Sequence, residues 1–238
     1  MSWIEIAIAI SAVMVGSVLQ GVVGFGLALT SAPVLILIDP RFIPAPLLLA
    51  SRSLIVLTAY RDRQGIDLSG LRWAVTGRLA GTGVGIIALT KIPGDQLILT
   101  FGVIVLVSVA LSASGMYLRP SPKTLIGAGA ISGFMGTTSS IGGPPMALLY
   151  QHASGTRLRG TLAGFFIVGV SISLVSLAFI GRVGREELGL ALMLQPGILL
   201  GFAVSSRAIG WLDGGHTRSA VLTVAAVMAV VVILNEFL

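Results

Sequence analysis

Charge is scarce in this chain. Only 10% of its 238 residues are Asp, Glu, Lys or Arg, against roughly 25% in an average soluble protein. A soluble domain of this size must cover itself with polar side chains, so a water-soluble enzyme, a nucleic-acid-binding domain and a disordered linker are excluded. Cysteine is absent, which removes disulfides, thiolate metal sites and cysteine nucleophiles. Only two histidines occur, His152 and His216, so no metal cluster can be built. Acid is missing where chemistry would need it. Glu5, Asp39, Asp62, Asp67, Asp95, Glu186, Glu187, Asp213 and Glu236 all stand near the ends of apolar runs. Intramembrane proteolysis and metal-assisted hydrolysis therefore have no candidate groups. A cation pathway, which usually carries a buried carboxylate, has none either.

What is abundant is apolar sequence, at 55% of residues with a mean hydropathy of +1.01. That composition describes a polytopic membrane protein made of helices. The net charge is +6, but its basic residues sit singly between apolar runs. They read as loop charge that orients a membrane protein, with no nucleic-acid partner. The first apolar run reads as a membrane segment and not as a signal peptide, because Glu5 stands where a basic residue is expected.

Apolar runs are predicted at about 3–19, 25–38, 43–60, 73–90, 97–117, 124–135, 144–150, 158–180, 188–210 and 219–234. A full crossing needs ~20 apolar residues, so the pieces at 25–38, 124–135 and 144–150 are too short. They flank glycine-rich breaks at 21–26 and 136–145, as broken or re-entrant helices do. If each break turns a hairpin and the N-terminus is outside, nine basic residues lie inside and four outside. The positive-inside rule favours that arrangement, with both termini outside.

The plan occurs twice. Gly21, Gly24 and Pro33 recur 112 residues later as Gly133, Gly136 and Pro145, and Gly77, Gly81 and Gly85 recur 120 residues later as Gly197, Gly201 and Ser205. The expected fold is an all-α polytopic membrane protein of two inverted repeats, 1–118 and 119–238, each a broken-helix hairpin plus three transmembrane helices. The glycines spaced by four read as close helix packing.

Two arginines lie within apolar runs. Arg52 is near the middle of its run and has no acid beside it, and burying it there costs at least ~2.5–3.5 kcal/mol. An anionic ligand would offset that, and so would hydrogen bonds to backbone carbonyls at a broken helix. Arg78 lies about one and a half turns inside the run predicted from 73, so snorkelling to water is the expected role. The breaks would leave helix N-termini inside the membrane, where free N–H groups suit an anion. The predicted substrate site is Gln20, Arg52 and the hydroxyls of Thr137, Thr138, Ser139 and Ser140, with backbone N–H groups of Gly24, Gly136 and Gly143. The same hydroxyls could instead bond their own helix. Gln195, before Pro196, reads as a helix-kink partner. Buried positive potential without buried acid describes a pathway for anions. Export is favoured by ~2.3 kcal/mol per charge per 100 mV of negative-inside potential.

The stretch Gly21-x-x-Gly24-Phe25-Gly26 ending at Pro33, its partner Gly133-x-x-Gly136 followed by Gly142-Gly143-Pro144-Pro145, the run Arg159 to Phe166 and the Pro196-to-Gly201 helix resemble the sulfite exporter TauE/SafE family. The resemblance covers nearly the whole chain. It implies a multi-pass permease of the inner, cytoplasmic membrane that exports sulfite, organosulfonates or related sulfur anions. The expected partners are a small anion and the lipid bilayer, with a homodimer as an option. No cofactor, metal or catalysis is expected. An anion channel and a non-transporting membrane scaffold are the alternatives.

Overall fold

The computed structural model describes residues 1–92, 94–114 and 118–212. Among them are nine α-helices and no strand: α1 (Trp3–Val23), α2 (Leu27–Ile38), α3 (Ala45–Arg61), α4 (Leu68–Lys91), α5 (Gly94–Ala113), α6 (Pro122–Ser139), α7 (Gly143–Tyr150), α8 (Gly155–Phe179) and α9 (Arg185–Leu212). The run expected at 219–234 lies outside the described residues, with Asp213, His216, Arg218 and Glu236.

Polar residues at the segment ends set where helices begin. Ser2 and Glu5 form a reciprocal capping box on α1, so Glu5 satisfies a helix end. Ser121 and Thr124 do the same on α6, with Pro122 at its first position. Asp67 accepts the Gly70 N–H at 3.0 Å and starts α4 at Leu68. The predicted run began at 73 because Arg72 interrupts the apolar sequence, whereas a helix needs only a cap and satisfied backbone. The breaks are also shorter than predicted. α1 continues through Gly21 to Val23, leaving only residues 24–26 between helices. α6 continues through Thr137, Thr138 and Ser139, leaving residues 140–142.

Packing between helices distant in the sequence positions the centre. The most extensive helix contacts are α4 with α6 and α1 with α9. α3 lies against α8 and α9, and α8 also meets α4. Glycines permit the close approaches. A Cβ on Gly77 would lie 1.9 Å from the Ile126 carbonyl oxygen, and one on Gly81 only 1.8 Å from that of Ala130. On the other pair, Gly197 faces the Ile10 carbonyl and Gly201 that of Met14. The spaced glycines are therefore packing surfaces.

Among the described residues three helices are long and apolar enough to cross a membrane: α1, α8 and the Arg185–Ile209 part of α9. The exterior displays Trp3, Ile4, Val56, Ile87, Phe179 and Leu192, more apolar surface than a water-soluble monomer usually presents.

One polar knot fastens helix ends. The Asp67 carboxylate accepts hydrogen bonds from the Ser69 hydroxyl at 2.7 Å, the Tyr150 hydroxyl at 3.1 Å and Arg157 Nη2 at 3.2 Å. Burial pushes this carboxyl up, but the hydrogen bonds from Gly70, Ser69, Arg157 and Tyr150 together hold it down at about 2. The unfolded value is ~3.9, so the ionised form stabilises the fold above about pH 4. That contribution fades as pH falls from there towards 2. Asp67→Asn should lower the melting temperature at pH 7 and flatten its decline in acid. Thermal unfolding of both proteins in detergent between pH 7 and pH 3 measures this.

Candidate functional site

The two chain breaks meet. At the first, Gly24 (φ 95°) ends α1 and Gly26 (φ 131°) precedes α2, conformations that glycine adopts without a side-chain clash. At the second, Ser140 turns the chain at φ 66° and Gly142 precedes α7. A Cβ on Gly143 would lie 2.7 Å from the Cβ of Phe25, so the start of α7 abuts the first break. Neither α2 nor α7 has a side-chain cap on its N-cap residue.

Both helix starts open on one cavity, lined by Gln20, Gly26–Leu29, Ser51, Arg78, Gly136 and Ser140–Pro144, with Ile55, Phe166 and Val170 on its apolar wall. Gln20 Oε1 accepts the Leu27 N–H at 3.2 Å, which satisfies one of the free donors of α2. Pro144 and Pro145 remove two donors from α7. The remaining positive end of each helix still favours an anion.

Arg78 supplies the charge. It is 1% exposed and ten residues into α4, ~15 Å along the helix axis. Nη1 donates to the Ser132 carbonyl at 2.8 Å and to its hydroxyl at 3.0 Å. Nη2 donates to the Ser173 hydroxyl at 3.1 Å. The guanidinium lies 5.5 Å from the centre of the Phe165 ring. Gly136, Gly142 and Gly169 surround it, and a Cβ on any of them would approach to 2.8 Å of a guanidinium nitrogen. Nε is buried without a hydrogen-bond partner. Among the described residues Arg78 has no ion pair, whereas Arg41, Arg61, Arg157 and Arg159 each face Asp or Glu. Arg78 therefore does not snorkel. Its helix starts earlier than the apolar run suggested, and its neighbours α6 and α8 enclose it.

The predicted site residues divide. Gln20, Gly136, Ser140 and Gly143 line the cavity. Thr137 stands behind it, its hydroxyl within 2.7 Å of the Ser173 hydroxyl that receives Arg78 and donating to Thr82 at 3.2 Å. Thr138 and Ser139 bond the carbonyls of Phe134 and Met135 in their own helix, at 2.8 and 2.7 Å. That is the local alternative for the hydroxyl run, and it keeps α6 helical. The Ser140 hydroxyl donates to the Pro44 carbonyl at 2.9 Å. Gly24 lies outside the cavity. Its N–H donates back to the Gln20 carbonyl at 2.8 Å and its Cα side faces Arg159 and Leu162, so it closes α1 and has no donor left for a ligand. Arg52 is exposed and lies in a separate groove between α3 and α8. Ser51, its neighbour, takes the cavity-facing position. Gln195 joins α9 to α3, donating to the Ala50 carbonyl at 3.2 Å and accepting from Ser53 at 2.7 Å; it does not brace its own helix at Pro196.

Sequence reasoning missed Arg78 as a site residue, yet a signal was present. Arg78 directly follows Gly77, the first residue of a stripe read as helix packing, and the residue 120 positions later, after Gly197 of the matching stripe, is Ile198. A charge beside a close-packing glycine, where the matching stripe carries an isoleucine, is a sign of an interior position.

The arrangement brings a guanidinium with spare donors, two helix N-termini and several hydroxyls to one small space, with no carboxylate among its lining. It can desolvate and hold an oxyanion. The model of the sulfite exporter TauE/SafE family matches residues 8–232. No curated protein and no solved structure matches the chain.

Proposed function

This chain belongs to the sulfite exporter TauE/SafE family, a family of membrane transporters of sulfur anions, and from that premise we propose that it exports sulfite or a small organosulfonate across the cytoplasmic membrane as a multi-pass secondary transporter without catalysis. One observation carries the reading. The fully buried Arg78 guanidinium has an unpartnered Nε and no ion pair among the described residues, at a cavity where the starts of α2 and α7 converge. A buried unpaired cation is unfavourable by several kcal/mol, and an oxyanion neutralises it. The substrate would be held by Arg78, Gln20 and the backbone N–H of Gly143 at the start of α7, with Gly136 and Ser140 on the cavity wall.

The architecture we assign is two inverted repeats, 1–118 and 119–238. Its support is reciprocal packing: α1 of the first half lies on α9 of the second, and α6 of the second on α4 of the first. That is the pattern expected when equivalent helices exchange partners across a pseudo-twofold axis. Rocking one half against the other would then expose the shared cavity to each side in turn.

The test is flux in proteoliposomes. Protein-dependent efflux of sulfite or a small sulfonate should saturate with concentration and accelerate when the potential drives anions outwards. No flux of either substrate class removes the reading, and flux that never saturates replaces the carrier with a channel. Gln20→Glu should reduce transport at least ~10-fold with the fold retained. It adds, on the wall of the same cavity, the acid that Arg78 lacks, and a neighbouring carboxylate competes with an anionic ligand for the guanidinium. Initial rates for this variant and for Gln20→Ala, matched for reconstituted protein, separate the charge effect from the loss of the side chain.

A further inference from the structure

Arg52 has no hydrogen bond or ion pair with any described residue, yet it stands seven residues inside α3, away from both of its ends. It lies in a groove bordered by Ile55 and Val56 of α3 and by Phe166, Ile167, Val170 and Ser171 of α8. Ile55, Phe166 and Val170 also line the central cavity. One layer of three apolar side chains therefore separates the Arg78 cavity from the Arg52 groove. Phe166 and Val170 are one turn apart on α8 and face Ile55 across the seam. Ser51 and Arg52, consecutive on α3, point ~100° apart, Ser51 to the inner space and Arg52 to the outer.

We infer that Arg52 is a second anion station on the path of the transported oxyanion, and that Phe166, with Ile55 and Val170, is the gate between it and the Arg78 cavity. This rests on the central cavity being the transport site. Apolar walls make good barriers to anions, because a desolvated charge cannot cross them unaided. A cation on each face lowers the free energy of the anion immediately before and after the barrier, as successive weak sites do in a conducting path. The ligand is the same small oxyanion, held by the guanidinium with the Ser171 hydroxyl beside it. That hydroxyl donates to the Ile167 carbonyl at 2.8 Å, so the donors for the anion come from the guanidinium. The gate would open when α3 and α8 shift relative to each other, and Phe166 is the side chain that must turn.

The absence of native cysteine allows a direct test. Ser171→Cys in proteoliposomes is treated with a methanethiosulfonate carrying a sulfonate and, separately, with one carrying a quaternary ammonium. The expected result is modification at least ~10-fold faster by the anionic reagent, slowed by methanesulfonate, an anion that does not react with the reagent, with the preference lost when Arg52→Gln is added. Phe166→Trp should cut sulfite flux at least ~10-fold while sulfite still raises the melting temperature, since the central cavity remains. No modification, a charge preference that survives Arg52→Gln, or wild-type flux in Phe166→Trp overturns the inference. A lipid phosphate on Arg52 would appear as slow modification indifferent to methanesulfonate, which also overturns it. The central reading fails separately, by sulfite-dependent stabilisation that persists in Arg78→Gln.

Discussion

Arg78→Gln is expected to abolish sulfite binding and transport while the helices stay assembled. Hydrogen bonds to charged groups contribute ~1.5–3 kcal/mol each. An oxyanion received by the free Nε–H and one further N–H of the fork would lose ~3 kcal/mol or more, a Kd at least ~100-fold higher. The neutral amide also removes the long-range attraction, which is strongest where water is excluded. The hydroxyls left behind keep their own partners: Ser132 donates to the Gly142 carbonyl, and Ser173 stays within 2.7 Å of the Thr137 hydroxyl. The helices therefore need not separate. The measurement is the melting temperature of detergent-solubilised protein against sulfite concentration. A ligand at 100 times its Kd stabilises the native state by ~2.7 kcal/mol, so wild type should shift upwards and Arg78→Gln should not. Arg78→Lys should fall between, since lysine keeps the charge without the planar fork. A full sulfite-dependent shift in Arg78→Gln would end the assignment of this site.

The second large effect is steric. Gly81→Ala should destabilise the protein, although alanine is the better helix former by ~1 kcal/mol. The new Cβ would lie 1.8 Å from the Ala130 carbonyl oxygen. That atom belongs to the backbone of α6 and cannot rotate away, so α4 and α6 must move apart. Overpacking typically costs ~1–3 kcal/mol. Here the cost exceeds that range, because the same interface holds Arg78 against Ser132. Gly81→Leu should not yield folded protein. Gly83→Ala is the internal control. It lies on the same helix with nothing within 4 Å of its would-be Cβ, so propensity alone acts and stability should be unchanged or higher by up to ~1 kcal/mol. Paired melting curves and size-exclusion profiles decide the matter. Equal stability of Gly81→Ala and wild type would mean the two helices are not held this close.

Much of the fold was legible because it follows from one-dimensional physics. A chain with 10% charged residues cannot cover itself in water, and its runs become helices because no other open segment satisfies its backbone in lipid. The breaks were visible as glycine and proline clusters, and the packing stripes as glycines spaced by four. Boundaries were less legible. α6 runs through Thr137–Ser139 because Thr138 and Ser139 bond their own turn. The onset of α4 was hidden because Arg72 was read as an end, whereas the cap is Asp67. That shift of five residues moved Arg78 from an apparent helix end to the interior.

By itself the sequence determined the class of environment, the helical segments and the presence of cationic groups within apolar runs, since all three depend on composition and local spacing; that Asp62 is buried against Arg159 it did not show. It could not choose between Arg52 and Arg78. Both sit in helices whose apolar residues surround them on every side, so periodicity does not mark an inner face. Only the tertiary packing decided that Arg78 looks into the space between the two breaks and Arg52 out across the α3–α8 seam. The reason is geometric. A helix turns ~100° per residue, and which direction is inward is fixed by the partner helices against which it packs.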